Sequence, residues 1–316
     1  MEAALSTGVE PAFDAHERRR GVVAGLSAYL VWGALTAYWK LFRHFDAFEL
    51  VAWRIIGAAA LMAFVLTLTH RWEHLRPILR DRGLLGRVIL SAALLTVNWT
   101  TYVWAVVNGR VIETALGYFM APLGTIAIGV LVFHERLRRA QTIAITLAFG
   151  AVLVLTVSYG AVPWIALLLA GIWSVYGWLK KQVPLTPLES MSAESFVVLA
   201  PAIVAATALA GRANSISATA DAGDWVLVAL TGVATVVPLM LFAAAAPRVP
   251  LTVLGPMQYL VPTINFLLGW AAYGEDLPPE RLIGFGLVWA GLAIMAADSL
   301  RPGRGSALSP RPTEMV

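Results

Sequence analysis

Five ionisable residues in the first half of the chain lie within or at the ends of strongly apolar stretches: Lys40, Glu49, Arg54, Arg110 and Glu113. An ionisable side chain inside a membrane span costs about 3 kcal/mol on insertion scales, so each of them needs a partner or a water-filled cavity. Two acids and three bases in one layer can bind a polar or anionic solute group and a coupling ion, for which a proton is the candidate. We therefore predict a site of solute binding or ion coupling among these residues.

Polar and aromatic side chains on neighbouring stretches extend this candidate site. Aromatic rings can stack on a solute and polar groups can bond to it, although bonding between helices is the more frequent role of such residues. The predicted substrate-binding or coupling set is Lys40, Glu49, Arg54, Asn98, Tyr102, Trp104, Glu113 and Tyr118.

The three deepest charges also have structural explanations. Lys40 closes its segment, so its ammonium group can simply reach the headgroups while its alkyl stem stays in lipid. Glu49 opens the next segment and can cap a helix N-terminus. Arg54 lies more than one turn deeper, and a buried ion pair with an acid such as Glu113 explains it slightly better than solute binding does.

Two prolines interrupt the apolar segments at matching places. Pro122 and Pro262 lie in mid-segment, where each removes a backbone donor and bends a helix. We predict that they form paired gates, with a purely structural bend as the equally weighted alternative. Glu135 and Glu275 follow the same segments, and we expect both to cap loops rather than to bind solute.

The elements that position these residues are apolar segments long enough to cross a bilayer. Of the 316 residues, 59% are hydrophobic and 13% are charged, which indicates a membrane protein. At about 1.5 Å per residue, a helix of roughly 20 residues spans the hydrocarbon core. Ten spans are predicted, at residues 21–42, 47–69, 84–107, 111–133, 140–157, 162–179, 192–210, 225–246, 251–273 and 282–299. Span 192–210 is the least regular, because Glu194 and Pro201 interrupt it.

Basic residues orient these spans, because cytoplasmic loops carry the excess of Lys and Arg. With the N-terminus inside, seventeen of the 23 basic residues fall on the inner side: Arg18, Arg19, Arg20, Arg71, Arg76, Arg80, Arg82, Arg87, Arg136, Arg138, Arg139, Lys180, Lys181, Arg248, Arg301, Arg304 and Arg311. The outer side holds Lys40, Arg43, Arg110, Arg212 and Arg281, and Arg54 lies within a span. Both termini are therefore predicted to be cytoplasmic, and the polar N-terminal segment is expected to remain uncleaved.

The chain repeats itself at an offset of 140 residues (122 to 262). The recurring pairs are Pro122 and Pro262, Gly129 and Gly269, Glu135 and Glu275, Leu137 and Leu277, Lys40 and Lys180, and Glu49 and Glu189. Five spans in each copy place the second copy upside down in the bilayer, which is an architecture of alternating-access transporters. The predicted organisation is a cytoplasmic segment 1–20, a first repeat 21–158, an inverted second repeat 159–299 and a disordered cytoplasmic tail 300–316.

Enzyme and motor classes lack their signature residues in this chain. His134 and Glu135 have no second histidine at zinc-protease spacing, and no glycine-rich phosphate loop precedes a basic helix. The five histidines show no triad pattern, and the absence of cysteine excludes disulfides and thiolate metal sites. We predict no enzymatic activity, no metal and no cofactor.

Four stretches resemble the RarD-type, chloramphenicol-sensitivity branch of the drug/metabolite transporter superfamily, which is built from two EamA-like repeats. They read AYWKLFRHFDAFELVAWRI, NWTTYVWAVVNGRVIETALGYFMAPLGTIAIGVLVFHERL, YGWLKKQVPLTPLESMSAES and LGPMQYLVPTINFLLG. The resemblance implies ten helices, an inverted five-plus-five repeat and a central cavity. It carries the family pattern onto Lys40, Glu49, Arg54, Asn98, Trp99, Tyr102, Trp104, Glu113, Gly117, Tyr118 and Pro122. Ala121 stands where the branch usually has Asn, and Trp53 where it usually has His, which implies a different solute.

These observations predict an all-α membrane protein of the bacterial cell membrane, a secondary-active transporter of a small organic solute working by alternating access, with export favoured. Its expected partners are the solute and the lipid bilayer, with no nucleic acid, and a homodimer is left open. Two alternatives remain. One is a non-transporting scaffold or regulator with a closed apolar centre, and the other is a lipid-linked flippase whose cavity opens sideways to lipid.

Overall fold

A computed structural model describes residues 15–133, 137–180, 182–245, 248–249 and 251–299. This described part consists of helices joined by short loops and holds no strand. In chain order the helices are α1 (Ala15–Lys40), α2 (Ala47–Leu68), α3 (Arg76–Arg80), α4 (Arg82–Val107), α5 (Val111–Phe133), α6 (Arg139–Tyr159), α7 (Trp164–Lys180), α8 (Pro187–Val197), α9 (Leu199–Leu209), α10 (Ile216–Thr219), α11 (Ala222–Ala245), α12 (Leu251–Met257), α13 (Leu260–Leu267) and α14 (Pro279–Ser299). A 3-10 turn, Trp72–Leu75, precedes α3, and a π-helical turn, Leu268–Ala272, extends α13.

Seven of these helices are long and apolar enough to cross a membrane: α1, α2, α4, α5, α6, α11 and α14. Helices α8 and α9 pass the same test together and meet at a bend of 44°, so they add at most one further span. Two apolar stretches are shorter, α7 and the segment Leu260–Ala272. Within the residues described, the chain is therefore an all-helical membrane protein with seven or eight candidate spans by length and composition.

The two broken segments both carry a proline just after the break. Pro201 lies in the first turn of α9, where it lacks the amide N–H that would continue the helix from α8. Pro262 likewise lies in the first turn of α13, after the chain leaves α12 at Met257. By contrast, α5 runs through Pro122 without interruption. The two prolines predicted as paired gates therefore differ: Pro122 lies inside a continuous helix, whereas Pro262 lies in the first turn after a break.

Side-chain caps fix where the helices of the candidate site begin. Asp46 accepts the backbone N–H groups of Phe48 and Glu49 at the start of α2. Asp81 does the same at the start of α4. Such caps satisfy amide donors that have no partner inside the helix. Because Asp46 caps α2, the carboxylate of Glu49 one turn later is free to bond elsewhere.

The chain divides into two compact units, Met1–Ala121 with Ile165–Asp276, and Pro122–Trp164 with Leu277–Val316. In the second unit, α6 packs along α14, where Gly284 and Gly291 allow close approach to Leu155 and Ala144. The first unit holds α1, α2, α4 and α11 packed on one another, and it contains every residue of the predicted binding set.

Helices α2 and α11 cross at two glycines. A Cβ atom added to Gly232 would lie 2.5 Å from the carbonyl oxygen of Gly57, so neither backbone can move aside without shifting its helix. Small residues allow this kind of close helix contact in membrane proteins. The contact holds Arg54 of α2 and Thr235 of α11 in register, one turn from the crossing.

Gly232→Ala is expected to destabilise the protein by about 1–3 kcal/mol, because the added methyl group forces α2 and α11 apart. The matched control is Gly171→Ala on α7, whose added Cβ would meet no atom within 4 Å. The apparent unfolding midpoint of the purified protein in detergent should fall for the first variant and stay near wild type for the second. Equal midpoints for both variants would show that the crossing tolerates separation.

Candidate solute-binding site

The site centres on Arg54, a buried arginine held between two indole rings. Its side chain extends from α2, and the residue is only 7% exposed. The guanidinium carbon lies 4.1 Å from the ring centre of Trp99 on α4 and 4.9 Å from that of Trp39 on α1. Nε donates a hydrogen bond of 2.9 Å to Thr235 Oγ1 on α11. Four helices therefore fix one positive charge by cation–π contact and a single hydrogen bond.

The two terminal nitrogens of Arg54 form no hydrogen bond and no ion pair within the described part of the chain. Glu113, the acid predicted as a partner in a buried ion pair, instead lies 3.6 Å from Arg110, which immediately precedes its helix α5. A guanidinium group offers five N–H donors in a planar fork that matches carboxylate, phosphate or sulfonate oxygens. The unused part of the fork is therefore available to an anionic group from outside the described chain.

Three predicted residues lie in the same cluster as Arg54. Tyr118 donates a hydrogen bond of 3.1 Å from its hydroxyl group to Asn98 Oδ1, and the rings of Tyr102 and Tyr118 are 5.8 Å apart. Both tyrosines are close enough to Arg54 to interact with its charge. Asn98, Tyr102 and Tyr118 thus supply the polar and aromatic wall that the sequence predicts beside this arginine.

Behind Tyr102 a chain of buried hydrogen bonds joins α1, α4, α5 and α13. Thr36 Oγ1 lies 2.6 Å from the hydroxyl group of Tyr102 and donates to Asn265 Oδ1 at 2.6 Å. Asn265 Nδ2 donates in turn to Thr114 Oγ1 at 3.4 Å. The network orients the Tyr102 ring. It also shows the helix-bonding role that such residues most often have in membranes.

Glu49 is completely buried, and both of its carboxylate oxygens are occupied. Oε2 accepts the backbone N–H of Ile216 at 2.6 Å, and Oε1 accepts the N–H and hydroxyl groups of Ser217 at 3.1 and 2.6 Å. The indole N–H of Trp53 adds a fourth bond of 3.3 Å. The alternative of a helix cap therefore describes Glu49 better than solute binding does, although the capped helix is α10 rather than α2.

The ammonium group of Lys40 bonds to a backbone carbonyl group and does not simply extend to the lipid headgroups. Its Nζ donates to the carbonyl oxygen of Val106 at 3.1 Å and lies 5.1 Å from the ring centre of Tyr273. Val106 belongs to the last turn of α4, where carbonyl groups lack helical partners and favour a positive charge. Lys40 therefore ties the end of α1 to the end of α4.

Trp104 and Glu113 form a third, more exposed group with Arg110. The guanidinium carbon of Arg110 lies 5.8 Å from the ring centre of Trp104, and the side chain of Arg110 is 44% exposed. The eight predicted residues are thus not one cluster. Arg54, Asn98, Tyr102 and Tyr118 come together, and Trp104 packs against the same hydrophobic core as the two tyrosines. Glu49 bonds instead to α10, Lys40 to the end of α4, and Glu113 lies beside Arg110.

Glu275 has defined contacts in the structure, and so do Trp53 and Ala121, the two residues that differ from the family pattern. Glu275 accepts the N–H groups of Val111 and Ile112 at 2.8 and 2.9 Å, so it caps helix α5 rather than a loop. Glu135 lies outside the described residues. Trp53 faces Trp225 edge-on at 5.0 Å, and the carbonyl oxygen of Ala121 accepts from Ser174 Oγ at 2.9 Å.

Sequence reasoning missed Trp39, Thr235, Thr114 and Asn265 as members of the site. Trp39 directly precedes Lys40, and nothing in the spacing of the first span sets it apart from the other aromatic residues there. Thr235 lies one turn after Thr231 in an otherwise apolar segment, 181 residues from Arg54. Two buried threonines one turn apart in an apolar span were the available signal.

Comparison with known proteins gives consistent results over nearly the whole chain. The sequence matches the EamA-like transporter family twice, over residues 19–157 and 162–297. Protein RarD of Streptomyces exfoliatus is 43% identical over 291 residues, covering 92% of this chain and 92% of that protein. The uncharacterized transporter YojE of Bacillus subtilis (strain 168) is 33% identical over 294 residues, covering 92% of this chain and 98% of that protein.

A solved crystal structure shares the fold. Its sequence is 20% identical, the TM-score is 0.54, and the match covers 90% of this chain and 99% of the other. The two relatives named above are called a transporter or RarD, and neither is called an enzyme.

Proposed function

Since this chain belongs to the EamA-like transporter family, and within it to the RarD-type branch, we propose that it is a secondary-active carrier that exports a small organic anion across the bacterial cell membrane. The chain is a multi-pass membrane transporter of the drug/metabolite type. The proposal adds the class of solute, the direction and the mechanism.

The class of solute is inferred from the guanidinium group of Arg54, whose two terminal nitrogens donate no hydrogen bond within the described chain. Its charge has no acidic partner in the described chain, and two indole rings hold the guanidinium plane in place. A bidentate contact to a carboxylate, phosphate or sulfonate satisfies the terminal nitrogens and neutralises the buried charge. The rings of Tyr102 and Tyr118 favour a solute with an aromatic or other apolar body.

We propose ten spans in an inverted five-plus-five arrangement. The proposal is supported by overlap: the seven long helices, the bent pair α8 and α9, and the two shorter apolar stretches each overlap one of the ten predicted spans. The family match falls once in each half of the chain, at 19–157 and 162–297. In this topology both termini lie in the cytoplasm, and an odd number of spans per half inverts the second repeat.

In the same topology, three contacts tie helix ends on the outer side: Glu49 to α10, Glu275 to α5, and Lys40 to α4. Two of them use a carboxylate on backbone N–H groups, and the third uses an ammonium group on a backbone carbonyl. Such charge-assisted bonds are stronger than neutral ones. We propose that these ties close the outside, so that the solute reaches Arg54 from the cytoplasm and leaves after the ties release.

The test is solute uptake by purified protein in proteoliposomes. Radiolabelled benzenesulfonate is a suitable probe, because it is aromatic, permanently anionic and leaks slowly through lipid. Trimethylphenylammonium is the matched cation. We expect saturable uptake of the anion above that of protein-free vesicles and no saturable uptake of the cation. Saturable uptake of the cation alone would contradict an anion site at Arg54, and a protein that moves no solute would instead fit the scaffold alternative.

A further inference from the structure

The repeat assigns opposite charges to one pair of equivalent positions. The offset of 140 residues that pairs Lys40 with Lys180 also pairs Arg54 with Glu194. Both members of this pair are buried, Arg54 at 7% and Glu194 at 4% exposure. In the proposed topology Arg54 lies toward the outside and Glu194 toward the cytoplasm. Each half therefore buries one charge at the same place, and the two charges have opposite sign.

Among the described residues, side chains alone hold the carboxylate of Glu194. Oε1 accepts from Lys180 Nζ at 2.9 Å and from Ser190 Oγ at 3.4 Å, and Oε2 accepts from the hydroxyl group of Tyr176 at 3.2 Å. Lys180 Nζ also contacts Ser190 Oγ. The side chain of Glu194 is 6% exposed and that of Lys180 is 28% exposed, so water reaches the pair from the lysine side.

These partners tolerate protonation, whereas those of Glu49 do not. Two of the four donors to Glu49 are backbone N–H groups, which cannot turn away or accept a proton. The hydroxyl groups of Ser190 and Tyr176 can each rotate and accept, and the ammonium group of Lys180 can move toward water. When Glu194 is protonated, its new O–H group can therefore donate to a hydroxyl group that has rotated to accept it. When Glu49 is protonated, its O–H group instead faces backbone N–H groups that can only donate.

A line of aromatic rings connects Glu194 to the wall of the solute site. Tyr176, which bonds to Glu194, lies 5.9 Å from Trp173, and Trp173 lies 6.1 Å from Tyr118. Tyr118 bonds to Asn98 and is one of the two tyrosines near Arg54. A change in the hydrogen bond of Tyr176 thus acts on rings that lead to the proposed solute site.

Other charged groups lie on the elements packed against α8, which are α2, α4, α9, α11 and the 3-10 turn, and on α7, which bonds to Glu194. Helix α7 supplies Lys180 and Tyr176, and the neighbouring cap on α8 supplies Glu189. The remaining charged or titratable residues on these elements, none of which bonds to Glu194 within the described chain, are Glu49, Arg54, Glu73, His74, Arg82, Arg87, Tyr102 and Asp224. The Lys180 ammonium group is therefore the charge that opposes protonation.

We propose that Glu194 is the site at which the coupling proton binds. Protonation neutralises the carboxylate, releases Lys180 toward water and allows the cytoplasmic ends of α7 and α8 to separate. The proton leaves to the aqueous phase on the lysine side when the ion pair re-forms, and in the alternate state of the carrier it binds from the opposite side, so that each cycle moves it across the membrane. This proposal rests on the proposed transport function and adds its driving ion.

Glu194→Gln, which resembles the protonated state, is the decisive variant. With benzenesulfonate as the probe, we expect this variant to lose the accumulation that a pH gradient drives. In the wild type that accumulation is up to about tenfold per proton and pH unit. The variant should retain solute exchange at equal pH, within about threefold of the wild-type rate. Glu189→Gln on the same helix is the matched control, because glutamine still accepts the N–H of Thr186 in the capping box. The control should keep both activities.

A measurement without solute separates this proposal from the transport function. Tryptophan fluorescence of the purified protein should show a pH transition through Trp173, and the transition should vanish in Glu194→Gln and persist in Glu189→Gln. If wild type exchanges solute but responds to no pH gradient, or if Glu194→Gln keeps gradient-driven accumulation, the coupling site is elsewhere. Loss of exchange as well as drive in Glu194→Gln would equally overturn the proposal. If wild type moves no probe yet shows the Glu194 transition, the transport function fails while the proton site stands.

Discussion

Replacing Arg54 by alanine is expected to weaken binding of an anionic solute by about 10- to 150-fold. A hydrogen bond to a charged group contributes about 1.5–3 kcal/mol, and the loss of the fork removes the charge that the solute neutralises. Quenching of tryptophan fluorescence measures the binding constant directly, because Trp39 and Trp99 flank the guanidinium group. Benzenesulfonate titrated into the purified protein is the simplest form of this measurement.

Two further variants make the Arg54 prediction specific. Arg54→Lys keeps the positive charge and loses the planar fork, so its affinity should fall between those of wild type and Arg54→Ala. Arg110→Ala removes an exposed arginine that belongs to a different group, and it should bind as wild type does. Since no acid in the described chain pairs with Arg54, its removal leaves no buried carboxylate unpaired. Wild-type affinity in Arg54→Ala would remove this residue from the site.

Replacing Glu49 by alanine is expected to lower the free energy of unfolding by about 2–4 kcal/mol. The change leaves the buried N–H of Ile216 without an acceptor, at a cost of about 1–3 kcal/mol. It also removes the charged cap of α10 and a partner of the Trp53 indole. Loss of a helix cap costs about 0.5–2 kcal/mol more.

The unfolding midpoint in detergent measures this loss, and limited proteolysis near residues 211–221 shows whether the segment around α10 is released. Glu49→Gln is the milder control, because the amide oxygen still accepts one of the N–H groups. In contrast to Arg54→Ala, neither variant should change the affinity for solute by more than a few-fold while the protein remains folded. An alanine variant as stable as wild type would show that the segment does not depend on this carboxylate.

The sequence predicts the helical membrane class and the position of each long helix, because these depend on local apolar length. It also predicts which ionisable residues need partners. It does not identify those partners, since they come from distant segments. Glu49 bonds to residues 167 and 168 positions away, and Arg54 bonds to Thr235, which is 181 positions away. No periodicity within one span carries that information.

The binding set divides for the same reason. Asn98 and Tyr102 lie one turn apart on α4, so spacing alone predicts that they share a face. Tyr118 lies on α5, and the family resemblance rather than spacing placed it in the same set. Lys40 and Glu49 lie near Arg54 in sequence, yet each points its charge at a helix end. Unsatisfied groups at helix ends attract ionisable residues as strongly as a solute does, and a single sequence does not distinguish the two uses.

The central claim is that this protein moves an anionic solute by alternating access through a site at Arg54. Counterflow tests it most directly, because only a carrier that exchanges solute across the membrane accelerates the entry of labelled solute when unlabelled solute is trapped inside. Proteoliposomes loaded with unlabelled benzenesulfonate should take up the labelled compound faster than empty ones, and Arg54→Ala should abolish the acceleration. Uptake that is unaffected by internal solute, or acceleration that survives in Arg54→Ala, would contradict the account.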